Sequence, residues 1–336
     1  MIKNIGIIGT GYAVPSHRVG PSDFLKQGTP AQLIEDWDIG EHREATTETA
    51  TDLEAEAAKM AIARAGLTPL DIDLIIGTTL LPEKVNPSNA SLTQWKIGAK
   101  NAAVFGLDMA CIGAVPALMT ADALFRAGKY KKILVLGSCQ LRAANDETDP
   151  AVYAVCGDGA GAVVLSEVES SAGIIATHLE ANGEHWQNVG IETKASKCPV
   201  PGRADEKKQR FYIDHDRSPN REEFFKWAMG SVPNAALRLL EKEGLTIKDI
   251  DWVCPHQNVK PVSGRWMEML GVPKERIIET RKEFGNMGPA NVLVNLHRGA
   301  ELGRFKPGDR ILLLGQGSGM SVGVALLRWS AAAKLN

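Results

Sequence analysis

The 336-residue chain is short of net charge, of aromatics and of long apolar runs. Lys and Arg (38) nearly balance Asp and Glu (40), for a net charge of −2. No global field therefore draws the protein to nucleic acid or to an anionic membrane. No apolar stretch approaches the roughly 20 residues that cross a bilayer. The opening run Met1-Ile-Lys-Asn-Ile-Gly6 meets glycine at once, so no signal peptide is expected. Cysteines number five, at 111, 139, 156, 198 and 254, widely spaced and without C-x-x-C. That argues against a disulfide frame or a zinc site and predicts reduced thiols in a cytoplasmic protein with no metal. H-E-x-x-H is absent too. A composition 44% hydrophobic and 23% charged supplies one large or two medium globular domains.

Taken in order, Ile5 to Thr10 reads as a buried strand entering a Gly-rich turn, Gly9 to Pro15. The spacing G-x-x-G-x-G and the prolines at 15 and 21 spoil the helix that a pyrophosphate site requires, so a dinucleotide site is rejected. Residues 16–49 read as irregular and polar around Trp37. Thr49 to Ala65 predicts an amphipathic helix with Asp52 and Glu54 early and Arg64 late, matching the helix dipole. Ile72 to Thr78 is a strand.

The chain then repeats itself. Gly66-Leu-Thr returns as Gly244-Leu-Thr, and Ile133-Leu-Val-Leu-Gly137 as Ile311-Leu-Leu-Leu-Gly315, each 178 residues on. Between these anchors the same offset pairs Met109 with Met287, Leu118 with Leu296 and Arg126 with Arg304. Two copies are too few for a solenoid. Two pseudo-twofold α/β halves, 1–170 and 171–336, fit better. Continuous apolar strands such as Leu74-Ile-Ile predict sheets covered on both faces. Residues 182–221 lack periodicity and predict an insertion over the surface; Arg221 to Lys242 resumes as helix.

In the first half, the apolar run from Val104 breaks at Cys111 and continues as a helix-compatible segment to Lys129. A thiol at a helix N-terminus meets unpaired N–H groups and a dipole that favour thiolate. Such a thiol can carry an acyl group, although a lone cysteine in an alanine-rich run is commonly a small buried hydrophobe. The duplication supplies partners. It places Asp108–Cys111 opposite Asn286–Pro289, and the strand end at Thr78 opposite His256. A cysteine, a histidine and an asparagine thus arrive at neighbouring strand ends and turns, a constellation suited to thiol chemistry.

Asp108-Met-Ala-Cys-Ile-Gly113, Cys156-Gly-Asp-Gly-Ala-Gly161, Pro255-His-Gln257, Gly285-Asn286 and Gly315-Gln-Gly-Ser-Gly-Met320 together resemble β-ketoacyl-acyl-carrier-protein synthase III, of the thiolase superfamily. The resemblance runs from Ile5 to Trp329. It implies a five-layered αβαβα fold, usually a homodimer, and no resident cofactor. It implies that Cys111 takes an acyl group from a thioester and that a malonyl-type thioester then loses CO2. His256 Nε2 and Asn286 Nδ2 would hold the enolate oxygen. A second oxyanion site would combine the Cys111 N–H with the Gly-rich turn, Gly317 and Gly319. Gly157 to Gly161 reads as tight packing behind the site.

Several positions depart from the family. Trp37 stands where the family stacks a tryptophan on coenzyme A, but the arginine that follows is missing and Asp149-Pro150 replaces a second one. Lys260 stands in for a basic residue after the histidine, and Asn258 aligns only with a one-residue deletion. Asn86 occupies the position of an aromatic that shapes the acyl tunnel across the dimer. These differences favour acyl carrier protein over coenzyme A as the donor's carrier. They also favour a specialised fatty-acid or polyketide pathway. The alternatives are an acyltransferase to oxygen or nitrogen, or a non-catalytic partner of a ketosynthase.

Overall fold

A computed structural model describes residues 4–144, 149–192, 210–213 and 221–333. The first half contributes strands β1 Asn4–Ala13, β2 His17–Val19, β3 His42–Glu44, β4 Leu74–Leu80, β5 Ala103–Gly106, β6 Ile133–Gln140 and β7 Asp158–Val168. Its helices are α1 Pro21–Lys26, α2 Ala31–Asp36, α3 Ala50–Arg64, α4 Asn89–Ile97, α5 Ala114–Arg126 and α6 Pro150–Val155. The second half adds β8 Gly173–Ala181, β9 Val189–Glu192, β10 Arg210–Ile213, β11 Trp252–Pro255, β12 Arg310–Gly317 and β13 Ser321–Arg328. Its helices are α7 Arg221–Lys242, α8 Lys260–Leu270, α9 Arg281–Phe284 and α10 Ala290–Glu301.

Two main sheets result, ordered β1-β7-β6-β4-β5 and β11-β12-β13-β8. Between them lie α5 and α10, packed in one apolar core with Ile76, Val163, Leu313 and Leu327 from the two facing sheets. Helix α3 covers the far face of the first sheet through Leu53, Ala57, Ala61 and Ile62. Helices α7 and α8 cover the far face of the second through Leu239, Trp266 and Leu270. This is the five-layered αβαβα arrangement, each sheet buried on both faces. Among the described residues no helix is long and apolar enough to cross a membrane.

Three local expectations are corrected. Strand β1 does not turn at Gly9 but runs on to Ala13. A Cβ on Gly9 or Gly11 would lie 2.2 Å from a carbonyl of α3, so these glycines admit a close helix rather than a turn. Residues 16–49 are not irregular: they hold α1, α2 and the β2–β3 pair. The 182–221 segment opens with a 3-10 turn, Gly183–His185, and pairs β9 with β10 antiparallel, and Phe211 in it is buried; residues 193–209 and 214–220 lie outside the described residues. The repeat is also interrupted, because the second sheet has one isolated bridge, Val253 to Ile277, where the first has β5.

Candidate active site

Helix α5 does not begin at Cys111. A single 3-10 turn, Ala110–Ile112, comes first and α5 follows at Ala114. Ala110 sits at φ 47°, a left-handed conformation uncommon for a residue with a side chain. The turn seats against β4, since a Cβ on Gly113 would lie 1.9 Å from Thr78 Oγ1. Cys111 is thereby buried. Burial pushes its thiol up to about 12, against hydrogen bonding from its own backbone and from that of Ser318. Burial thus works against the thiolate expected at this turn.

His256 follows the last residue of β11, its N–H donating to Leu314 O at 2.7 Å. A Cβ on Gly315 would fall 2.3 Å from the His256 Cβ, so only glycine lets this ring sit beside β12. Burial lowers its pKa to about 4, with the Gly288 backbone pulling the other way. The ring is neutral at pH 7, and its Nδ1 is shielded with no hydrogen-bond partner.

Asn286 joins the halves. Its N–H donates to Val155 O at 2.9 Å and its carbonyl accepts from Gly157 N–H at 3.0 Å. Its Oδ1 accepts from the Gly288 N–H at 2.9 Å, which fixes the amide so that Nδ2 is the free donor. Behind both residues lies a buried polar set that sequence reasoning missed. Thr280 Oγ1 donates to Gln257 Oε1 at 3.1 Å, and Asn291 Nδ2 to Gly285 O at 3.1 Å. Asn295 Nδ2 donates to Pro255 O at 3.0 Å. The available signal was two asparagines one helical turn apart in the otherwise apolar first half of a helix, Ala290 to Leu296.

Cys111, His256 and Asn286 all line one cavity of about 440 Å³. Trp37, Asn258 and Gly317 line it as well; Gly319, Asn86 and Lys260 do not. In place of Gly319 the wall carries Ser318 and Met320, with Met320 at φ 48°. Gly319 supplies the turn, at φ +71° with open space around it. Asn86 is exposed, away from the cavity of its own chain. Lys260 has its side chain 54% exposed and pairs with Asp38 Oδ2 at 3.5 Å. Against the cost of partial burial, hydrogen bonds from Lys282 and Arg281 hold Asp38 below the usual carboxylate range. Most of the remaining wall is apolar, including Val189, Phe211, Phe224 and Met229. The segment predicted to lie over the surface therefore builds part of the cavity. Asp149, which caps α6 by accepting from Ala151 and Val152 N–H, is also on the wall. Gly157, Gly159 and Gly161 do pack tightly: a Cβ on each would lie within 2.0 to 2.7 Å of Phe284, Met287 or Leu293.

Family models described as 3-oxoacyl-[acyl-carrier-protein] synthase III and its C-terminal part match residues 105–183 and 240–329. The β-ketoacyl-[acyl-carrier-protein] synthase III of Listeria welshimeri is 33% identical over 332 residues, covering 97% of this chain and 99% of that protein. That of Clostridium perfringens is 33% identical over 331 residues, with 97% and 100% covered. The crystal structure of 3-oxoacyl-[acyl-carrier-protein] synthase III from Aquifex aeolicus VF5 superposes with a TM-score of 0.87 at 33% identity, covering 97% and 100% of the two chains. The priming β-ketosynthase of the R1128 polyketide pathway superposes at 0.88 with 25% identity, covering 98% and 97%. With the same order of motifs and the same fold across nearly its whole length, this chain belongs to the β-ketoacyl-acyl-carrier-protein synthase III family of thiolase-fold condensing enzymes.

Proposed function

We propose that the protein joins an acyl group held on Cys111 to a malonyl-type thioester with loss of CO2, releasing a β-ketoacyl thioester. The observation that carries this reading is the convergence of a thiol, a neutral imidazole and an oriented amide donor on one largely apolar cavity. Cys111 Sγ attacks the donor's carbonyl carbon, and its proton goes to the carrier sulfur, which leaves as the thiol, so that His256 keeps its Nε2–H. The transient oxyanion takes the N–H groups of Cys111 and Ser318. In the second step the malonyl carboxylate departs as CO2. The electron pair left behind forms an enolate, whose oxygen accepts from Asn286 Nδ2 and from His256 through Nε2. The enolate carbon attacks the acyl group, and the Cys111 sulfur leaves as a thiolate and takes a proton from solvent, replacing the one carried off by the first carrier thiol. Donors aimed at the enolate stabilise a charge that the ground state lacks, which is what accelerates the step.

The donor in this reading arrives on acyl carrier protein, and the assembly is a homodimer. Asp149 sits on the cavity wall, and the basic groups Lys260, Arg281 and Lys282 converge on Asp38 rather than standing free for nucleotide phosphates. Strand β5 is an unpaired sheet edge, and nearby Val85 (96% exposed) and Trp95 (80% exposed) present apolar surface. Intact-protein mass after mixing with acyl-coenzyme A and acyl-carrier donors tests the reading, with Cys111→Ala as control. The expected result is an acyl adduct from the carrier donors, absent in the control and discharged with CO2 on adding malonyl carrier. No adduct from any donor would overturn it.

A further inference from the structure

Glu54 is a carboxyl group that none of these steps uses, yet it is buried on α3 directly behind the site. Its Oε1 accepts from Ser138 Oγ at 2.6 Å, Thr79 Oγ1 at 3.0 Å and Asn89 Nδ2 at 3.2 Å. Its Oε2 accepts from Thr93 Oγ1 at 2.5 Å. Burial raises its pKa, and the four donors oppose that shift. Thr79 and Ser138 are partners across the parallel β4–β6 pair, near the ends of both strands. Their hydroxyls also approach each other at 3.2 Å.

Strand residues alternate between faces. Thr79 and Ser138 point to Glu54, so their neighbours point the other way, into the site. There Thr78 seats the Cys111 turn against Gly113. Gly137 lies against Pro289 O, where a Cβ would come within 2.6 Å. Cys139 Sγ and Leu80 Cδ2 lie 3.4 and 3.2 Å from where a Gly288 Cβ would stand. The two strand ends thus carry the Cys111 turn on one side and the Asn286–Pro289 turn on the other. One carboxylate clips both ends from behind and ties them to α4.

We infer that Glu54 is a positioning residue, fixing the relative placement of Cys111 and Asn286 through the ends of β4 and β6. The inference rests on the proposed reaction only for its kinetic readout. The experiment compares Glu54→Ala, Glu54→Gln, Ser138→Ala and Thr93→Val with the wild type. It measures kcat and KM for condensation, the rate at which iodoacetamide alkylates Cys111, and Tm. Because small misplacement of reacting groups is costly, Glu54→Ala and Ser138→Ala should slow kcat and alkylation by about tenfold, with KM little changed. Glu54→Gln keeps Oε1 as acceptor and should recover most of that loss. Thr93→Val, on the α4 side alone, should lower Tm and leave both rates as they were. Wild-type rates in folded Glu54→Ala and Ser138→Ala would overturn the inference, as would equal slowing in Thr93→Val. If Glu54→Ala does not fold, Ser138→Ala decides. If the wild type condenses nothing, the proposed reaction fails while the alkylation rates still decide the role of Glu54.

Discussion

Cys111 is held as a thiol, and its attack on a thioester has to be coupled to proton removal. With the thiol pushed up to about 12, thiolate is scarce throughout the neutral range, and its population grows in proportion to hydroxide. Alkylation of Cys111 should therefore rise about tenfold per pH unit from pH 7 to pH 10 without levelling. A plateau near pH 8, followed by intact mass, would mean a thiol with an ordinary or lowered pKa. Asn286 has the opposite signature. Its Nδ2 is aimed where the enolate forms and is not needed to acylate the thiol. Asn286→Ala should leave Cys111 acylation within about threefold of wild type while CO2 release falls about 10²-fold or more, the scale of losing one oxyanion donor. Equal loss in both steps would contradict the division of labour. Ser318 was not legible in the sequence beforehand. Which amide of a Gly-rich turn faces the thiol depends on the left-handed residues around it, here Gly319 and Met320, and spacing alone does not fix that.

At the scale of elements, the strand ends do the placing, and glycines mark where they come close. Gly315 and Gly319 look equivalent in the sequence and differ in surroundings. Alanine at 315 would strike His256, so Gly315→Ala should cost about 1–3 kcal/mol of stability, the range for overpacking. It should also slow condensation by displacing the ring. Alanine at 319 meets no atom within 4 Å and should cost about 1 kcal/mol for its positive φ, with the ring left in place. Thermal melts and condensation rates of the two variants check the contrast. Equal effects would mean that His256 does not depend on the close approach. Helix α3 was legible because its Thr49 cap and charge placement agree, and α7 because acids in its first turn and Lys242 in its last bracket a long helical run. The β9–β10 hairpin was not, because its apolar residues serve a cavity that other elements complete. The same holds for β1, where glycines that suggest a turn answer instead to a helix from elsewhere in the chain.

For the whole molecule, the duplication made the site legible: it set Cys111, His256 and Asn286 at matched ends before any contact was known. It said nothing of the polar groups buried to hold the halves together, because their partners lie far apart in sequence. Those groups govern how the fold responds to acid. Burial, aided by Arg142, lowers His42 to about 3; burial lowers His256 to about 4; burial and Arg64 lower His297 to about 4. Each is neutral when folded and takes a proton near pH 6.5 when unfolded, so its contribution is intact above that pH and is lost as pH falls toward its folded value. Two buried carboxyls act in the opposite sense. Asp158 is raised to about 6 by burial against N–H donation from Ala45 and Arg142, and Glu54 is also raised. Each takes up a proton more readily when folded, which offsets part of the loss below pH 6. Three histidines outweigh two carboxyls, so stability should fall from pH 7 toward pH 4.5, with the slope steepening as the pH drops below 6.5. Replacing His42, which lies between Phe24 and Gly285, separates this linkage from simple packing loss. His42→Asn should lower stability at pH 7, and it should also flatten the acid slope by one proton, about 1.4 kcal/mol per pH unit. Urea titrations at pH 7 and pH 5 measure both quantities. A variant that is weaker at both pH values but keeps the wild-type slope would show that His42 is not among the groups the unfolded chain must protonate.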